Sequence, residues 1–377
     1  MYYFDHAATT PLPSAVCEAM YGVLCRQFGN PSAQYPLGHE ARELVSRGRA
    51  AIAAALGCPA DRLFFTSCGT ESDNWAIAAA LHHNRRVGRH IITSALEHNA
   101  VLEPCKLWEA QGCEVTRLQP NSGGEITVEQ VRSALRPDTA LVSLMLVNNE
   151  LGTVTPIAEI ASLLKECGSS ALLHTDAVQG FLKVPCTVPA LGADFVSLSA
   201  HKIGGPKGIG ALYISPKLRA PRPLLAGGGQ ESGLRSGTEA VHQIVGFAEA
   251  VRLRSAYLQE HPQHMAELRR YAVEKLSAID GFQLIGAGTA PHILCGALVG
   301  YPSANIVEDL GAQGICISAG SACHRGKLSH VVQALHLPKR VGAGVIRISF
   351  GVDTTTEEID ILADALRRHR DTRFPLL

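Results

Sequence analysis

Three short polar runs in this chain lie where predicted strands end, and each suits one part of a reaction. Thr66-Ser67-Cys68-Gly69-Thr70 closes one strand and opens a helix. Small residues at that place let backbone N–H groups and the helix dipole face an anion, with Gly69 and Thr70 as donors. An ordinary helix N-cap looks the same. Asp176 follows the run Ala171 to His174; most aspartates so placed cap a helix or pair with a base. Lys202 stands in Ser199-Ala200-His201-Lys202, directly after Asp194 to Leu198. A lysine at a buried strand end can lose its proton near neutral pH and act as an amine nucleophile. A loop lysine in water does not. The glycines Gly204, Gly205 and Gly208 around it suggest a phosphate loop, but no Gly-Lys-Ser/Thr is present.

Taken together, a phosphate cup, an amine and a carboxylate on one sheet edge are what pyridoxal phosphate requires. The lysine bonds to the cofactor, and the carboxylate keeps the pyridine nitrogen protonated so that the ring accepts electrons. A nicotinamide cofactor fits worse, because no Gly-x-Gly-x-x-Gly follows the first strand.

These runs need elements that bring them together. Strand-like runs are Leu63 to Thr66, His90 to Thr93, Ala140 to Val147, Ala171 to His174, Phe195 to Leu198 and Ala211 to Ile214. Helical segments alternate with them: Glu71 to Leu81, Ala100 to Gln111 and Ile157 to Glu166. Such alternation predicts crossover connections and a mostly parallel sheet covered on both faces. Strand C-termini then share one edge, where ligands bind. After about residue 250 the pattern changes. Arg252 to Ile279 reads as one long charged helix, Gln283-Leu284, Ala297 to Val299 and Val345 to Ile348 as strands, and Thr356 to Arg367 as a closing helix. A second, α+β unit is expected, with a boundary near residue 255.

Composition narrows the function classes. Lys+Arg and Asp+Glu are 34 each, so the net charge is zero; this disfavours nucleic-acid binding and a polybasic membrane surface. Apolar residues at 46% support a large core. No apolar run approaches the ~20 residues of a membrane span, and the opening residues show no leader pattern. The 11 cysteines are an odd number without Cys-x-x-Cys, which points to reduced thiols in the cytoplasm, most of them packed as small core residues.

At this level of detail the sequence resembles the cysteine desulfurases of the class V aminotransferase group, fold-type I pyridoxal-phosphate enzymes, and within them the nitrogen-fixation-type branch. The resemblance spans nearly the whole chain, from Tyr3-Phe4-Asp5-His6-Ala7-Ala8-Thr9-Thr10 to Thr356-Glu357-Glu358-Ile359-Asp360. Between them lie Thr66 to Asn74, Glu97-His98-Asn99-Ala100, Asn148-Asn149-Glu150-Leu151-Gly152, His174 to Gln179, Ser199 to Lys202, Arg235-Ser236-Gly237-Thr238 and Ser318-Ala319-Gly320-Ser321-Ala322-Cys323.

The resemblance implies a seven-stranded, mostly parallel α/β domain over residues 14–255. It implies a smaller α+β domain from residues 1–13 and 256–377, carrying Arg347 and the Cys323 loop. It implies roles residue by residue. Lys202 is the Schiff-base lysine. Asp176 is the pyridinium partner, and Gln179 donates to the phenolic oxygen. Gly69, Thr70, Ser199 and His201 contact the phosphate, with Thr238 reaching in from the second subunit of a homodimer. His98 stacks on the ring and carries acid-base duties. Asn149 and Arg347 clamp the substrate carboxylate; read alone, Arg347 would be an inter-strand ion pair. Cys323 takes the sulfur. No resident metal is implied, with Cys323 a candidate transient iron–sulfur ligand shared with a partner. Three departures stand out: Tyr35 where the family has a histidine, Glu231-Ser232-Gly233 where it often has Glu-Arg-Gly, and His324-Arg325-Gly326-Lys327-Leu328-Ser329-His330 after Cys323, shorter and more basic than expected of the housekeeping branch.

The expected activity is conversion of L-cysteine to L-alanine with sulfur passing to Cys323 as a persulfide, then to a sulfur-acceptor or iron–sulfur scaffold protein. A selenocysteine lyase or another cysteine lyase on this fold is the alternative. A non-catalytic sulfur-carrier scaffold is disfavoured by the presence of Lys202, Asp176 and Cys323 together, and a thiol-redox protein by the lack of Cys-x-x-Cys.

Overall fold

The computed structural model describes residues 1–319 and 328–375. Cys323, with His324, Arg325 and Lys327 beside it, lies outside the described residues. The strands Leu63–Thr66, His90–Ser94, Thr139–Ser143, Leu172–Asp176, Phe195–Ser199 and Gly210–Ile214 are buried along their whole length. Buried backbone groups must pair with one another, and these do so in a seven-stranded sheet. Its order is Leu63–Thr66, Gly210–Ile214, Phe195–Ser199, Leu172–Asp176, Thr139–Ser143, His90–Ser94 and Glu114–Leu118. Successive side chains on a strand point to opposite faces, and the core divides accordingly. Leu63, Phe65, Val142, Leu173 and Val196 join one apolar cluster; Phe64, Leu141, Leu172 and Phe195 join another. The first is covered by Ser14–Arg26, Pro36–Leu56, Ile157–Glu166 and Val241–Glu260, the second by Gly69–His83 and Asn99–Ala110.

The direction of the strands positions the chemistry. Gly210–Ile214 is antiparallel to both its neighbours, and the other pairings are parallel. The two reversals cancel, so Leu63–Thr66 points the same way as the parallel strands. Thr66, Ser94, Asp176 and Ser199 therefore end on one edge.

A four-stranded sheet of order Ser318–Ala319, Val345–Ser349, Ile293–Leu298 and Phe282–Leu284 is antiparallel throughout. Helices His264–Ser277, Ser303–Ala312 and Thr356–Thr372 pack with it. Phe4 is fully buried in this core with Ile346, Ile348 and Leu366, so the N-terminus belongs to it physically.

The sequence expectations need correction in several places. The single helix over Arg252 to Ile279 is two, Val241–Glu260 and His264–Ser277; Pro262 lies in the break, where proline's missing N–H and ring end a helix. The run Ala140 to Val147 is regular strand only over Thr139–Ser143. Beyond it the chain still follows its neighbour, with Leu144 N donating to His174 O (3.1 Å) and Leu146 N to Asp176 O (2.8 Å). The unforeseen strand Glu114–Leu118 lies at the sheet edge and is largely half-exposed, so its sequence lacks a buried run. Of the ten described cysteines, Cys105, Cys113, Cys186 and Cys295 are buried, whereas Cys17, Cys25 and Cys167 are exposed; the exposed ones sit on helix surfaces or just past a helix end.

Candidate active site

At the C-terminal edge of the large sheet lies a cavity of about 350 Å³. It is lined by Gly69, Thr70, His98, Asn149, Asp176, Gln179, Ser199, His201, Lys202 and Arg347. These are all the site residues expected from sequence except Thr238, which is exposed and does not line it, and Cys323. Tyr35 is exposed and also lies off the cavity, preceding the helix Pro36–Leu56.

Each position has a local cause. Cys68 is extended and Gly69 opens the helix Gly69–His83. A Cβ on Gly69 would lie 2.7 Å from Val178 Cγ2, so only glycine lets this turn approach the segment after Asp176. Thr66 Oγ1 and Ser72 Oγ, 2.7 Å apart, pin the turn. Ser199 ends its strand, and a 3-10 turn Ala200–Lys202 carries the lysine into the cavity. The irregular extension past Ser143 brings Asn149 in, while the Asn148 side chain closes its turn on the N–H groups of Glu150 and Leu151.

Lys202 Nζ donates to Ala7 O and Ala8 O, each at 2.7 Å. Burial brings its amine down to about 8, with Arg347 adding to the effect. Asp176 is 6% exposed and accepts from Val178 N at 2.9 Å. Burial, and then the neighbouring Asp73, push its carboxyl up. Asp73 is itself buried, and its Oδ1 has no hydrogen-bond partner. Such a carboxylate pair needs a proton or a cation. His174, behind them, stays neutral: burial lowers it to about 4, and Ser143 Oγ (2.8 Å) and Ser197 Oγ (3.0 Å) hold its ring nitrogens.

His98 caps the helix Asn99–Ala110, its Nδ1 accepting from Ala100 N at 3.1 Å. Burial lowers its pKa. A neutral ring whose Nδ1 accepts must carry its proton on Nε2. Arg347 donates to Asn149 O at 2.8 Å and to Asp5 Oδ1 at 2.7 Å, and its Nε is buried without a partner. The inter-strand ion pair and the cavity-lining guanidinium are thus the same residue. Gln179 Nε2 donates to Ala7 O at 2.7 Å, and His201 Nδ1 is 3.2 Å from Thr9 Oγ1.

Residue reasoning missed Ala7 and Ala8, which line the cavity and hold Lys202 through their carbonyls, although they lie in one of the resembling motifs. It missed Asp73 and the buried Glu97 as well. Glu97 sits beside Met145 N (2.9 Å) and Ser94 Oγ (2.6 Å), and burial pushes its carboxyl up to about 8. Asp73 is the fifth residue of the helix Gly69–His83, whose sequence reads as a plain surface pattern. Only its position behind the strand end gives it meaning.

This donor set fits pyridoxal phosphate. Gly69, Thr70, Ser199 and His201 line one side as neutral polar groups that suit a phosphate, burial holding the His201 imidazole down at about 4. A buried carboxylate awaits a positive partner, and an amine of lowered basicity faces the same space.

Comparison with known proteins agrees. The aminotransferase class-V family description matches residues 2–362. "Cysteine desulfurase IscS" of Methanosarcina thermophila is 41% identical, covering 95% of this chain and 89% of its own length. The protein of that name from Dictyoglomus turgidum is 40% identical over 97% of this chain and 93% of its own. A solved NifS-like protein superposes with a TM-score of 0.92 at 35% identity, over 99% of this chain and 100% of its own.

Proposed function

We propose that this chain, which belongs to the aminotransferase class-V family, is a pyridoxal-phosphate-dependent cysteine desulfurase. It converts L-cysteine to L-alanine, passes the sulfur to Cys323 as a persulfide and then to an acceptor protein for iron–sulfur cluster assembly. The observation that carries this reading is that Lys202, Asp176, His98 and Arg347 line one cavity. Gly69, Thr70, Ser199 and His201 would hold the cofactor's phosphate, Asp176 its ring nitrogen and Gln179 its phenolic oxygen. Bound there, the cofactor supplies an electron sink for bond breaking at the substrate Cα.

The protein's own groups do the rest. Arg347 binds the substrate carboxylate; Asp5 and the Asn149 carbonyl fix its guanidinium at the cavity wall. Asn149 sets the carboxylate's orientation. Lys202 Nζ, with basicity near neutral, takes the Cα proton once it is free of the cofactor. His98 enters as a donor through Nε2–H, so it protonates rather than deprotonates first. Cys323, outside the described residues, is assigned on its residue type and motif. Its thiolate attacks the substrate sulfur; an S–S bond forms, the Cβ–S bond breaks and its electron pair goes to Cβ.

Thr238, exposed in its own chain, is assigned to the partner's cavity in a homodimer. Residues 14–255 are taken as the cofactor domain and 1–13 with 256–377 as the smaller one, in keeping with Phe4 packing on Ile346 and Ile348. The protein is placed in the cytoplasm, in keeping with free thiols at all ten described cysteines; no described helix is long and apolar enough to cross a membrane.

The test is Cys323→Ser. It should keep the cofactor's visible absorbance and its spectral change on adding L-cysteine, yet release no sulfide in the presence of a thiol reductant. Sulfide at the wild-type rate refutes the assignment.

A further inference from the structure

A second cavity, of about 250 Å³, shares Lys202 with the first. Its walls are Thr10 to Pro13, the helix Val241–Glu260 and the turn after the strand Val345–Ser349. The volume far exceeds the ~30 Å³ of one water.

Besides Lys202, which is held by Ala7 O and Ala8 O, two basic side chains line it. Lys183 Nζ reaches Gln179 Oε1 at 3.2 Å. Arg254, 9% exposed, donates through Nε to Leu182 O at 3.1 Å, with its Cζ 5.4 Å from the Tyr257 ring centroid. Among the described residues neither has a carboxylate within ion-pair distance. The acid lining the cavity, Asp353, is exposed. Buried cations are ordinarily paired, because leaving water without a counter-charge is costly. The neighbouring imidazoles supply no counter-charge: His6 lines the same cavity and His292 is buried nearby without a partner at either ring nitrogen, and burial keeps both neutral. Burial and Arg254 draw the Lys183 amine well below its usual value, as expected for a cation left without its counter-ion. The remaining wall is apolar, formed by Leu12, Ile203, Leu253 and Phe350.

We propose that this cavity is a binding site for a small organic anion, its carboxylate held by Arg254 and Lys183 and its apolar body against Leu12, Ile203, Leu253 and Phe350. Arginine takes a carboxylate through two parallel N–H donors, and Arg254 keeps donors beyond Nε for that purpose. An inorganic anion would leave the apolar wall uncovered. The site is separate from the substrate clamp, which uses Arg347 and Asn149. It communicates with the first cavity through Lys183 and Gln179, since Gln179 lines that cavity and holds Ala7 O.

The probe is sodium butyrate, titrated calorimetrically into the cofactor-loaded enzyme. Saturable binding is expected, weakened about tenfold or more in Arg254→Leu and in Lys183→Met, the loss of one charge-assisted contact. In Arg347→Lys it is expected to stay within about twofold, since that residue touches another cavity. Binding lost in Arg347→Lys but kept in the other two would place butyrate in the substrate clamp and overturn the proposal. Absence of butyrate binding overturns it too, as does inorganic phosphate binding with butyrate excluded. A wild-type crystal grown with butyrate gives a readout independent of any variant's folding. Density between Arg254 and Lys183 supports the site, and density confined to Arg347 rejects it.

Discussion

The sheet edge and the N-terminal segment both wall the active-site cavity, but they contribute different atoms. The sheet edge supplies reactive side chains: Lys202, Asp176 and, one loop away, His98. The segment Asp5 to Thr10 supplies the lysine with backbone carbonyls. Ala7 O and Ala8 O hold Lys202 Nζ and Ala7 O also holds Gln179, while the Asp5, Thr9 and Thr10 side chains brace Arg347, His201 and the turn after Lys202. One region does chemistry and the other aims it. Removing sheet-edge groups should abolish steps, whereas loosening the segment should change how well substrate is held.

The largest effect is expected for Lys202→Ala. Loss of the amine removes both the covalent hold on the cofactor and the base, so turnover should fall by at least the ~10²–10⁴-fold typical of a lost acid-base group. Borohydride treatment of the wild type followed by peptide mapping should label Lys202. Label on Lys183 instead would show that the second cavity holds the amine, and would break the division between regions.

Asp176→Asn comes next. An amide cannot keep a proton on the pyridine nitrogen, so the lysine adduct should form while turnover drops more than tenfold, a barrier increase above ~1.4 kcal/mol. A rate closer to wild type would mean that the buried pair Asp73 and Asp176 shares the duty.

The contrast also explains what was legible beforehand. Lys202, Asp176 and Thr70 are legible only as a set, because each alone reads as a cap or a loop residue, whereas all three stand after apolar strands that end on one sheet edge. The parallel sheet follows from the same alternation. The edge strand Glu114–Leu118 and the break at Pro262 did not show, since a half-exposed strand has no distinctive run and a lone proline in a charged stretch is easily read through. The carbonyl acceptors of Ala7 and Ala8 could not show at all: every residue carries one, and only tertiary contacts aim them, with Phe4 packed in the small core, Ala7 N donating to Ser349 Oγ and Tyr3 OH donating to Thr9 O.

Asp5→Asn sharpens the comparison from the other side. It keeps the shape but removes the charge that fixes Arg347. A charge-assisted contact is worth ~1.5–3 kcal/mol, discounted here because Asp5 is partly exposed. KM for L-cysteine should rise several-fold, with kcat changed less. A fall in kcat at constant KM would give the segment a chemical role.

The smallest effect concerns pH. The buried acids Asp73, Glu97 and Asp176 all belong to the sheet side of the cavity. Glu97 has a folded-state value of about 8 against 4.5 for the free side chain, with burial as the main cause. Between those values the native protein holds a proton that the unfolded chain has released. Stability therefore falls as pH rises through that window and is unaffected by this group below it. Glutamine does not titrate and resembles the protonated acid in carrying a donor and an acceptor. Glu97→Gln should flatten the decline in Tm between pH 5 and pH 8, by a few degrees given ~2–4 °C per kcal/mol in mid-sized domains. The measurement is calorimetric melting of wild type and variant, both freed of cofactor, across that range. Parallel declines would show that Glu97 is charged in the native state, its hydrogen bonds from Ser94 and Met145 outweighing burial, and that this part of the sheet edge does not store the proton assigned to it.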